Sequence, residues 1–118
     1  MAYVKVTVVK TTTATGTAIS ISADPDPLDI GGESNDVEVT INWELVNSAG
    51  WKFVAADQGV IVHGSAAKFK NNGGSSNWQK HQWVRHKHQK DGNPYKYTIS
   101  VTEANGDNTV TWDPWIRN

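Results

Sequence analysis

Residues 37–45 read VEVTINWEL, and this stretch decides the fold. Val37, Val39, Ile41, Trp43 and Leu45 are apolar, and Glu38, Thr40, Asn42 and Glu44 between them are polar. In extended backbone successive side chains point to opposite faces, so this alternation sorts the two kinds cleanly. A helix of the same sequence would scatter the apolar residues around its axis. The pattern predicts a strand with one dry face and one wet face.

Outward from this stretch the period stays at two. Tyr3–Val8 puts Val4, Val6 and Val8 on one side. Tyr95–Thr102 does the same with Tyr95, Tyr97, Ile99 and Val101. Shorter candidate strands are Ala18–Ser22, Trp51–Val54, Gly59–His63, Gln82–His86 and Thr109–Trp112. Between them lie Asp24-Pro25-Asp26-Pro27, Gly31-Gly32, Asn47–Gly50, Asn71–Ser76, Asp91-Gly92-Asn93-Pro94 and Asn105-Gly106-Asp107, all of turn composition. The expectation is an all-β, antiparallel Greek-key sandwich of roughly seven to nine strands, cupredoxin-like or immunoglobulin-like in arrangement. With 118 residues, no repeat and no linker, residues 1–118 form a single β-sandwich domain.

Composition narrows the chemistry. There is no cysteine, hence no disulfide, no thiolate nucleophile and no cysteine-bound metal. The opening MAYVKVTVVK alternates like a strand and lacks the basic head and apolar block of a secretory leader. No apolar run approaches the length needed to cross a bilayer. The expected location is therefore the cytoplasm, without a membrane partner. The formal net charge of −1 argues against a dedicated nucleic-acid binder. The charge is nevertheless uneven, because residues 58–90 hold six lysines and arginines and no acid.

Two segments carry a resemblance. ISISADPDPLDIGGESNDVEVTINWEL, residues 19–45, is similar to the opening of cupredoxin-like domains, where a strand meets a proline turn, a glycine turn and a second strand. NPYKYTISV, residues 93–101, resembles their late strand. The resemblance implies the sandwich fold. Blue-copper members carry a cysteine, a histidine and a methionine after that late strand, and here nothing after Tyr97 is any of these. A blue-copper centre needs the thiolate, so the resemblance implies the fold without the copper. The ending VTWDPWIRN resembles the tails of small bacterial sandwich proteins.

The segment 80–91, KHQWVRHKHQKD, concentrates the candidate chemistry. His86 and His88 fall on one side of a strand and, with His63, could hold zinc or copper through imidazole. The flanking cations oppose a dication there. Lys80, Arg85, Lys87 and Lys90 interleave with Trp78 and Trp83, a combination that suits a polyanion or a glycan. The plainer reading has Trp83 or Val84 anchoring the strand while the cations stay in water. Loop tryptophans can stack on sugar rings while asparagines such as Asn71, Asn72, Asn77 and Asn93 read hydroxyls; they can equally seal the ends of a sandwich. The acidic run Asp24, Asp26, Asp29, Glu33 and Asp36 lacks the spacing of a calcium loop and reads as a turn. No catalytic motif is present.

The expected function is a non-enzymatic binding or interaction module, with no cofactor. Trp78, Trp83, Arg85, His86, His88 and Asn93 are the candidate ligand-binding residues, and a glycan or other anionic surface is the candidate partner. A histidine-based metal-binding protein is the first alternative. A structural homo-oligomeric subunit pairing through an exposed edge strand at Val4–Val8 is the second.

Overall fold

The computed structural model describes residues 2–32, 37–54, 58–63, 69–75, 78–85, 94–104 and 108–117. The described residues form eleven strands and no helix. They are β1 (Ala2–Thr13), β2 (Gly16–Asp24), β3 (Leu28–Asp29), β4 (Val39–Leu45), β5 (Trp51–Phe53), β6 (Val60–Val62), β7 (Phe69–Ser75), β8 (Lys80–Arg85), β9 (Pro94–Glu103), β10 (Thr109–Trp112) and β11 (Trp115–Arg117).

The strands make a two-layered all-β sandwich. One sheet has the order β2-β1-β4-β8-β7. In the other, β9 is the spine: β10 and β11 lie along one edge, β5 and β6 along the other, and β3 extends the sheet beyond β11. The inward side chains are the ones the alternation selects. Val39, Ile41, Trp43 and Leu45 of β4 and Tyr95, Tyr97, Ile99 and Val101 of β9 are all buried. Val4, Val6 and Val8 join them from β1, and Phe53, Val60 and Ile116 from the second sheet.

Aromatic pairs tie the layers together. Trp43 and Tyr97 have ring centroids 5.3 Å apart, and Phe69 and Tyr95 lie 5.1 Å apart edge to face. The Trp83 indole N–H donates to the Val60 carbonyl 2.7 Å away, a hydrogen bond that also crosses the layers.

The pairing is mixed. β1 runs parallel to β4, and β11 runs parallel to β3; the other pairings are antiparallel. The alternation specifies which face is dry and is silent on strand direction, so the two parallel pairings were not legible in it. They also correct the expected edge. Within Val4–Val8, Val4 pairs with β4, Lys5 and Val6 with both β2 and β4, and Thr7 and Val8 with β2, so β1 is an interior strand; among the described residues the edge strands of that sheet are β2 and β7.

Three strands lie where none was expected: Leu28–Asp29, Phe69–Ser75 and Trp115–Arg117. The second of these has the most consequence, since it builds one wall of the groove described below. The β1–β2 hairpin runs past the sandwich. Residues 9–18 are exposed on both faces, and the molecule measures 52 × 24 × 22 Å.

Candidate functional site

The strand β8 places the sequence-derived candidates, and it divides them. Lys80, Gln82 and Val84 point away from the core, while His81, Trp83 and Arg85 point into it. Trp83 is 7% exposed and Arg85 only 3%. Both were expected at a ligand surface, and both are buried. Trp83 fills the core and spends its N–H on Val60. Arg85 lies with its guanidinium 5.5 Å from the centre of the Phe69 ring, opposite Phe69 and Val39 in register. Its stem is apolar and its planar head stacks well on an aromatic face, which lets a cation occupy an inward position at a sheet end. Val84 is buried as well, outside the core cluster. The expectation that this strand keeps its cations in water therefore holds for the exposed Lys80 and fails for Arg85.

Trp78 is the described candidate that remains at the surface, at 38% exposure. Its φ of 64° is unusual for a bulky residue, and its carbonyl accepts from Phe53 N at 2.8 Å, pinning this turn to the second sheet. His86, His88 and Asn93 lie outside the described residues. His63, the third member of the metal alternative, hydrogen-bonds through Nε2 to Thr98 Oγ1 at 2.7 Å. Among the described residues no three histidines or carboxylates gather in a metal-binding group.

A concave feature of the described residues lies elsewhere, on the outer face of the first sheet. A groove of about 500 Å³ is lined by Tyr3, Asn42, Glu44, Lys80, Gln82 and Asn72, with the glycines 73 and 74 in its wall. Its floor is a row of primary amides, one from each of three adjacent strands. Asn42 and Gln82 are direct register partners across β4 and β8. Gln82 Nε2 donates to Asn42 Oδ1 at 2.9 Å, and Asn72 Nδ2 donates to Gln82 Oε1 at 2.8 Å. Tyr3, the register partner of Asn42 on β1, ends the row with its ring 61% exposed.

The sequence NNGG at 71–74 makes the β7 wall. The register shifts between Asn71 and Gly73, so Asn72 is an extra residue, a β-bulge. Asn71 sits opposite Trp83 and its Oδ1 meets His81 Nε2 at 2.8 Å. Asn72, freed from the alternation, reaches Gln82 on the opposite face. Asn71 Oδ1 also accepts from Gly73 N at 2.9 Å, and the Gly73 φ of 79° is one that glycine takes without strain. With no side chains at 73 and 74, these two residues leave the groove beside Gln82 uncovered. Sequence reading named Asn72 as a hydroxyl reader but missed Asn42 and Gln82. Their signal was present: both are polar residues on the wet side of predicted strands.

The second sheet also carries a polar row. Thr98 Oγ1 donates to Asp113 Oδ1 at 2.7 Å and meets His63 on its other side. Lys96 Nζ lies 3.8 Å from Asp113 Oδ2 and 5.8 Å from the centre of the Trp115 ring. In the core between the two sheets, burial pushes the Tyr97 hydroxyl up to about 12, with the Trp43 indole N–H acting in the opposite sense and the Asp26 carboxylate adding a little. Among the described residues, neither the Tyr97 hydroxyl nor Trp43 Nε1 completes a hydrogen bond of normal geometry.

No family model matches the chain, and no curated protein matches it. The groove is therefore read from its own chemistry.

Proposed function

We propose that this domain is a non-enzymatic binding module whose ligand is a glycan held on the outer face of the first sheet. The observation that carries the reading is the hydrogen-bonded amide row Asn42–Gln82–Asn72 on the floor of an open groove, with an exposed tyrosine at its end. A primary amide has two donor hydrogens and an oxygen with two lone pairs. The row, together with the Asn42 Nδ2 donation to the Ala2 carbonyl at 3.5 Å, uses only part of that capacity. Sugar hydroxyls likewise donate and accept, so each can pair with an amide in either sense. The Tyr3 ring supplies an apolar plate for the C–H face of a pyranose. Concavity with a few converging polar groups is the usual form of a small-ligand site.

In this reading the glycan site is on a sheet face, away from Trp83 and Arg85. A glycan array probed with the wild-type protein and with Gln82→Ala tests it. Wild type binds at least one glycan, and Gln82→Ala loses that binding while keeping its circular-dichroism spectrum. A blank array for the wild type ends the reading, as does full retention of binding by Gln82→Ala.

A further inference from the structure

From the same groove, and resting on that reading, we infer the ligand's charge and its direction: an uncharged oligosaccharide lying across the strands. Tyr3, Asn42, Gln82 and Asn72 belong to β1, β4, β8 and β7, which are consecutive in the sheet. The row therefore runs at right angles to the strands and covers three strand spacings, about 14 Å. A single pyranose is too short to touch both ends. A chain of about three rings reaches from the Tyr3 plate to the Asn72 amide.

The charge assignment follows from the adjacent row. Glu44 and Lys80 are register partners across β4 and β8, and both line the groove. They set one carboxylate against one ammonium; Trp43 and His81 also line the groove but are buried, and the remaining lining side chains are neutral amides and a phenol. Lys5 is the neighbour of Glu44 on β1 and lies outside the lining. A sulfated or uronic chain placed on the amide row would meet Glu44 beside Lys80, so among the described lining residues its charge finds no surplus of cations. The described cations of the cation-rich segment, other than Lys80, do not supply them. Arg85 is turned into the core, and Lys70 opposes Val84 two residues before the bulged Asn72.

Titration calorimetry on the full chain separates the parts of this inference. The neutral probes are cello-, xylo- and manno-oligosaccharides of one to six rings; the anionic probes are oligogalacturonates and heparin-derived oligosaccharides. The expected result is binding of a neutral series, with affinity rising about tenfold or more from one ring to three and then levelling. Affinity should change less than about twofold between low and high salt. Glu44→Gln and Lys80→Gln should also stay within about twofold, whereas Tyr3→Ala should lose about tenfold. Binding confined to the anionic probes, weakening with salt and with Lys80→Gln, overturns the inference; if Gln82→Ala also removes it, the groove itself stands. Equal affinity for one ring and three overturns the cross-strand placement. Binding of no probe in either series overturns both the inference and the groove as a glycan site.

Discussion

The outer faces of the two sheets each carry a row of hydrogen-bonded polar side chains, but the rows end differently. On the first sheet, Asn42, Gln82 and Asn72 bond to one another in a groove whose β7 wall is two glycines. On the second, His63, Thr98 and Asp113 form a chain, with Lys96 placed between the carboxylate and the Trp115 ring. The second row is balanced by its own ion pair and aromatic cover. The first is made of neutral groups with spare hydrogen-bonding capacity, and Gly73 and Gly74 put no side chain over them. A polar row becomes a candidate site when the surrounding chain leaves room above it, and here a bulge and two glycines make that room.

The largest effect should come from the layer that both faces share. Trp83→Ala removes a buried indole and leaves the Val60 carbonyl without its donor, so it should cost about 3–5 kcal/mol in chemical denaturation. If Trp83→Ala denatures like wild type and abolishes binding, Trp83 belongs to the ligand surface and the comparison of faces is misdrawn.

Next is Tyr97, beneath the first sheet's Trp43. Its folded pKa stands near 12 against an ordinary value of 10.0. The unfolded chain thus releases this proton first as pH rises, and stability falls between pH 10 and 12. The contribution is fully present below pH 10, and its loss amounts to up to about 3 kcal/mol. Denaturation midpoints measured from pH 9 to 12 should fall for wild type and flatten for Tyr97→Phe. An equally steep fall in Tyr97→Phe would assign the alkaline loss to other groups.

The faces themselves are separated by two milder substitutions. Gln82→Ala should cost about tenfold or more in glycan affinity, about 1.4 kcal/mol, with little change in melting temperature. Asp113→Asn on the other face should leave glycan affinity unchanged. It should lower stability by less than about 1 kcal/mol, because its ion pair with Lys96 is solvent-exposed. Loss of glycan binding in Asp113→Asn would move the site to the second sheet.

Much of the fold was legible before any coordinates. The nine-residue alternation at 37–45 named the inward residues of β4, and 95–102 did the same for β9. Trp43 was assigned to the core on that ground alone, and it is fully buried. The candidate site was legible only in part. Asn71–Ser76 reads as a loop because Asn, Gly and Ser favour turns. It is a strand because β8 supplies a ladder of hydrogen-bond partners that composition cannot reveal. Arg85 reads as a surface cation because charge resists burial; it sits inside because its position on the inward side of β8 fixes where its side chain must go.

The sequence by itself determined the period of two, the identity of the dry faces and hence a sandwich, since alternating apolar side chains leave a strand no other way to shield them from water. Tertiary structure alone decided which strands lie side by side, that β1 meets β4 in parallel, and that three amides from distant segments meet in one groove. Alternation is a local property of the chain, whereas neighbours across a sheet are chosen by the closing of long loops and by which partner completes the hydrogen bonds.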